Sequence, residues 1–88
     1  GGMINLTRYL ASHYGPQKVR VNVVSPGGIY NPTQPQAPAF LERYGKMTML
    51  GRLAEAHEVT GAVVFLLSDA STYITGTNLV VDGGYTAK

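Results

Sequence analysis

The chain has 88 residues, 44% hydrophobic and 14% charged, and carries no cysteine. This is a globular composition, sized for one small domain or part of a larger one, with no means of making disulfide staples or thiolate metal sites. Net charge is +2, and the basic residues (Arg8, Lys18, Arg20, Arg43, Lys46, Arg52, Lys88) are scattered rather than striped, which argues against nucleic acid as a partner.

The longest unbroken apolar run, Ala62 to Leu67, is far short of the ~20 residues that a membrane span needs. The N-terminus shows no basic region leading into an apolar core. The expectation is a soluble, cytoplasmic protein without a membrane partner. The low charge fraction suggests that part of the surface is meant to be covered.

Residues 3 to 14 read as a helix. Met3, Leu6 and Leu10 share one face, and Ile4, Ala11 and Tyr14 add a second apolar edge. Gly15-Pro16 is expected to end it, with glycine in a left-handed cap. Val19 to Ser25 reads as a strand, rich in β-branched residues. Residues 33 to 50 contain Pro35 and Pro38 and then a short helical pattern in which Phe40, Leu41 and Tyr44 share a face. This segment reads either as a lid or as a packed surface loop.

The clearest helix covers residues 56 to 67, with Val59, Ala62, Val63, Leu66 and Leu67 at helical spacing. Glu55 and Glu58 favour its N-terminus through the helix dipole. Thr77 to Asp82 is the second strand, closed by Gly83-Gly84. Strand, helix and strand in this order predict a parallel pair. Two parallel strands have two open edges and little face to bury. The chain is therefore expected to belong to a wider α/β sheet or to complete itself by oligomerising.

Between the strands stands the stretch SPGGIYNPT, Ser25 to Thr33. In open α/β sheets ligands bind beyond the C-terminal ends of the strands, where this stretch falls. Pro26 fixes φ and lacks an N–H. Gly27 and Gly28 permit positive φ and close backbone approach. The N–H and C=O of Ile29 could meet a planar amide. For a bare Pro-Gly-Gly an ordinary turn is the reading to prefer, and the stretch alone does not establish a ligand.

The segments GGMINLTRYLAS, VRVNVVSPGGIYNP and LGRLAEAHEVTGAVVFLLSDASTYITGTNLVVDGGYTA occur in this order. They closely resemble the C-terminal part of the short-chain dehydrogenase/reductase family, classical type, whose members are NAD(P)-dependent oxidoreductases. The resemblance implies the C-terminal portion of a Rossmann-type doubly wound parallel sheet, with residues 1–88 as the last third of one NAD(P)-binding domain. It implies that Pro26, Gly27, Gly28, Ile29 and Asn31 bind the cofactor, NAD or NADP. Asn31 stands where the family usually has threonine, and its amide can still donate and accept hydrogen bonds. Ala56 stands where a proline often opens the helix. Residues 33 to 50 would belong to the substrate-binding loop.

The family's Tyr-x-x-x-Lys, its catalytic serine and its glycine-rich cofactor loop have no counterpart in these residues. The resemblance places the lysine immediately before Gly1. The complete enzyme is expected to pass hydride between NAD(P) and a carbonyl or alcohol and to form a homo-oligomer, dimer or tetramer, while the 88 residues alone are expected to be inactive. The alternative is a truncated, non-catalytic oligomerisation or interaction module. Tyr14 has Lys18 four residues on, but Gly15-Pro16 separates them, so the pair does not read as catalytic. Tyr9 and Tyr73 read as packing or interface residues, His13 and His57 as surface positions without a metal role, and Asp82 as a turn former.

Overall fold

The computed structural model describes residues 1–87. Helix α1 (Gly2–Tyr14) leads to strand β1 (Val23–Pro26), helices α2 (Pro38–Met47) and α3 (Ala56–Leu67), and strand β2 (Asn78–Val81). The strands pair in parallel, Val23 opposite Asn78 and Pro26 opposite Val81. The α/β order and the parallel pair are those expected.

The buried side of α1 is only part of the wide apolar surface read in the sequence. Thr7 and Ala11 are buried, whereas Met3 and Leu6 are 65% and 50% exposed. Ala11 lies over Gly76, whose φ of 73° is a left-handed backbone that glycine adopts without strain. Thr7 is accommodated because its hydroxyl donates to the Met3 carbonyl at 2.8 Å. The helix end also differs. Gly15 stays right-handed at φ −54°, and the chain leaves through a 3-10 turn, Gly15–Gln17. The left-handed residue is Lys18, at φ 63°.

The first strand is shorter than its valine run. Residues 19 to 22 are tied to the segment before β2 largely through side chains. Thr75 Oγ1 accepts from Val21 N–H at 3.1 Å, and Asn22 Oδ1 accepts from Thr77 N–H at 3.0 Å. A regular ladder begins only at Val23, whose N–H reaches Thr77 O at 3.0 Å. Pro26 is tolerated in the last strand position because the next ladder donor is Gly27 N–H, to Val81 O at 2.9 Å. The nitrogen without a proton faces the open edge.

Arg20 fastens α3 to this segment. Its guanidinium donates to the carbonyls of Leu66 (2.9 Å) and Ile74 (3.1 Å) and to Ser71 Oγ (3.2 Å). A cation at the C-terminal end of α3 answers both its free carbonyls and its dipole.

Among the described residues only Ala11, Leu53 and Leu66 are buried apolar side chains. Val63, Val64 and Leu67 of α3 and Val80 of β2 are exposed. The Cα radius of gyration is 15.4 Å, against about 12 Å for a compact domain of this length. The shape is elongated, 49 × 24 × 20 Å along its principal axes, with apolar side chains on its outside. No helix among the described residues is long and apolar enough to cross a membrane.

Replacing Arg20 by leucine removes three charge-assisted hydrogen bonds, although Leu66 O keeps Ser71 Oγ and Ile74 O keeps Asn22 Nδ2 as donors. Arg20→Leu is expected to lower the unfolding free energy by about 2 kcal/mol in urea denaturation. A loss below about 0.5 kcal/mol, the size of a neutral surface change, would contradict the role given to Arg20.

Candidate functional site

The turn after β1 lies at the C-terminal end of the parallel pair, as expected. What its glycines meet is their own chain. A Cβ on Gly27 would come within 2.9 Å of Asp82 Cβ and 3.0 Å of Asp82 Cα. One on Gly28 would come within 2.7 Å of Tyr44 Cζ. Neither glycine has positive φ; the left-handed glycines are Gly51, Gly76, Gly83 and Gly84. Their bareness serves close approach of the Asp82 backbone and the Tyr44 ring, not backbone strain.

Beyond the glycines the chain forms one parallel bridge, Ile29 to Ala54. Ala54 N–H donates to Gly28 O at 2.9 Å, and Tyr30 N–H donates to Ala54 O at 2.8 Å. The polar groups of Ile29 thereby face the other way. Its carbonyl accepts from Gln36 Nε2 at 3.2 Å, so only one of the two groups read as a partner for a planar amide is open. Among the described residues no hydrogen bond engages the Ile29 N–H. Asn31 Oδ1 accepts from Thr33 N–H (3.0 Å) and Thr33 Oγ1 (2.7 Å), an Asx turn that leaves the Nδ2 hydrogens outward. Pro26 is exposed.

Asp82 forms the facing turn. Its carboxylate accepts from Gly84 N–H (2.9 Å), Thr86 N–H (3.0 Å) and Thr86 Oγ1 (2.7 Å). These bonds, the Thr86 hydroxyl first, hold its pKa below the ordinary value. Asp82 is a turn former, as the Gly-Gly after it suggested.

The segment read as lid or surface loop is anchored at its C-terminal half, and the sequence did not single out the anchors. Thr48 is buried; its hydroxyl donates to Gly45 O at 3.1 Å and accepts from Gly51 N–H at 2.8 Å and Arg52 N–H at 3.1 Å. Gly83 O accepts from Met49 N–H and Leu50 N–H. Arg52 pairs in two-pronged fashion with Glu58, at 2.7 and 2.9 Å, and Glu58 Oε1 also accepts from Glu55 N–H at 2.9 Å. The guanidinium and that N–H hold the Glu58 carboxyl at about 2, below its ordinary 4.5. This brace stands where Ala56 replaces the family's proline.

The remaining candidates fall apart. Tyr73 is fully exposed and Tyr9 stacks on His13 at 6.2 Å, so neither packs into this chain's core. His13 and His57 sit on different helices, and the described residues hold no cluster of three potential metal ligands.

The fold is that of the C-terminal portion of a Rossmann-type α/β sheet, with the Pro-Gly turn at the C-terminal strand ends. Residues 1–86 match the family model described as enoyl-(acyl carrier protein) reductase. The chain is 42% identical over 89 positions to 2,5-dichloro-2,5-cyclohexadiene-1,4-diol dehydrogenase of Sphingobium indicum, covering 97% of this chain and 36% of that protein. It is 49% identical over 84 positions to the 3-oxoacyl-[acyl-carrier-protein] reductase of Rattus norvegicus, covering 96% and 34%. A crystal structure of a short-chain dehydrogenase from Leptospira borgpetersenii with bound NAD+ superposes with a TM-score of 0.87 at 44% identity, covering 97% of this chain and 32% of the other. The chain belongs to the short-chain dehydrogenase/reductase family. It spans about a third of the length of the relatives it matches.

Two consequences can be measured. Gly27→Ala forces a methyl group against the Asp82 backbone and is expected to lower the unfolding free energy by about 1–3 kcal/mol; an unchanged urea midpoint would contradict the close approach. Glu58 is more acidic folded than unfolded, so its contribution is present above about pH 4.5 and fades as pH falls toward 2. Glu58→Gln is expected to flatten stability across that window, and a parallel acid limb in the variant would contradict the pairing.

Proposed function

We propose that residues 1–88 are the C-terminal part of one dinucleotide-binding domain in an NAD(P)-dependent dehydrogenase or reductase. The observation that carries this reading is the turn at the strand ends. Its Ile29 N–H lacks a partner among the described residues, and the amide hydrogens of Asn31 are turned outward. The donor set fits the oxygens of a carboxamide and a pyrophosphate. The named relatives, which are dehydrogenases and reductases, support it, as does the relative with bound NAD+.

Pro26, Gly27, Gly28, Ile29 and Asn31 would hold the nicotinamide side of NAD or NADP. The two glycines let Asp82 and the Tyr44 ring pack close against the turn and so hold it in place. The Ile29 carbonyl can serve a carboxamide N–H through its second lone pair or once Gln36 withdraws. When bound, the cofactor supplies or takes the hydride, and the substrate is the matching carbonyl or alcohol. By the family resemblance, the Tyr-x-x-x-Lys pair that moves the proton lies outside these residues. The part played here is to orient the cofactor and, through residues 33 to 50, to cover the substrate.

The same reading includes a cytoplasmic location and a homo-oligomer, dimer or tetramer. The exposed apolar residues of α1 and α3 support a chain whose surfaces are covered by further sheet and by other subunits. They equally favour the second reading, a non-catalytic oligomerisation module.

The protein carrying this segment is expected to consume NADH or NADPH with a panel of ketones, followed by the cofactor's absorbance. The 88-residue chain alone is expected to give no turnover above a blank. Saturable turnover by the short chain, or a carrying protein that binds no dinucleotide and assembles as a stable oligomer, would overturn the proposal, the latter in favour of the module.

A further inference from the structure

Tyr44 joins three parts of the molecule. Its hydroxyl accepts the Gly28 N–H at 2.6 Å, and its ring lies against Gly28 where a side chain would otherwise stand. On α2 it lies 5.9 Å from the Phe40 ring. It also stacks on Tyr85 at 5.4 Å and 26°, and Tyr85 in turn donates its hydroxyl to Met47 Sδ at 3.6 Å. The ring is thus held from α2 and from the turn that Asp82 closes.

The consequence lies in the order of donors along the turn. Gly28 N–H is taken by Tyr44. Ile29 N–H, one residue on, is open. Ala54 holds the Gly28 carbonyl and the Tyr30 N–H from the far side. Ala54 thereby fixes both peptide planes that flank Ile29, and Tyr44 fixes the Gly27–Gly28 plane just before them. Ala54 acts through backbone alone, so Tyr44 is the side chain that holds the start of the turn.

We propose that Tyr44 is a positioning residue for the dinucleotide: its hydroxyl fixes the Gly27–Gly28 peptide, from which the next peptide, held by Ala54, presents the Ile29 N–H to the ligand, and it links the placement of α2 to that of the turn. This rests on the cofactor reading above. Tyr44 touches the turn and not the reacting atoms, and it acts on cofactor affinity rather than on hydride transfer.

The test compares variants of the complete enzyme by dinucleotide titration, steady-state kinetics and thermal melting. Tyr44→Phe keeps the ring and its stacking and loses the acceptor. It is expected to raise the Kd and KM for the dinucleotide on the order of five- to tenfold, the size of one hydrogen bond, with kcat and the KM of the carbonyl or alcohol changed less than about twofold. Tyr85→Leu removes the stacked ring while leaving both hydrogen-bond partners, and is expected to raise the same dinucleotide constants in a smaller measure. It serves alone if Tyr44→Phe does not fold. A Tyr44→Phe enzyme with unchanged dinucleotide constants overturns this inference while leaving the function intact. A lowered melting temperature with equal loss for both substrates also overturns it, since that is the mark of a structural role. A parent enzyme without dinucleotide affinity overturns the function instead.

Discussion

The register of β1 on β2 is the constraint from which the site follows. Val23 N–H on Thr77 O fixes one end of the ladder and Gly27 N–H on Val81 O fixes the other. Ser25 Oγ donates to Asn78 Oδ1 at 2.6 Å across the pair and reinforces the alignment from the side chains. Because side chains alternate with period two, a slip by one residue would turn every strand residue to the other face. A slip in one of the two directions would also set Pro26 against Asp82 in place of Gly27. The register thus brings two glycine-containing turns together, one after each strand, and their closeness leaves room for Tyr44.

Much of this was legible in the sequence. The β-branched runs, the helical spacing from Val59 to Leu67 and the Gly-Gly after Asp82 each report a local preference that the tertiary structure respects. The errors arose where tertiary contacts overrode local signals. The valines from 19 onward suggested a longer strand, but Asn22 and Thr75 offer side-chain hydrogen bonds that substitute for the ladder. Met3 and Leu6 belong to the wide apolar surface of α1, of which only the side bearing Thr7 and Ala11 is covered within these residues. The position of Pro26 to Asn31 at the strand ends could be read from order alone. Thr48 and the hydroxyl of Tyr44 could not, because a polar side chain that satisfies backbone groups far along the chain leaves no periodic trace.

The distribution of apolar surface connects fold to function. A chain of this length with three buried apolar side chains among its described residues gains little from its own core. Its order comes from polar devices at the seams: Arg20 on the end of α3, Thr48 in the turn after α2, and Arg52 on Glu58. These hold the chain in shape and leave its exposed apolar residues to other surfaces. That division agrees with family membership over about a third of the length of its relatives, and with a site whose positioning parts lie here while the proton-moving residues are proposed to lie elsewhere.

The central claim is that the turn after β1 presents its open N–H to the nicotinamide end of a dinucleotide. A crystal structure of the complete protein grown with NAD(H) or NADP(H) tests it most directly. The account predicts the cofactor's carboxamide oxygen within hydrogen-bond distance of Ile29 N–H, with Tyr44 still on Gly28. A dinucleotide bound away from residues 26 to 31, with Ile29 N–H satisfied by another part of the protein, would contradict it.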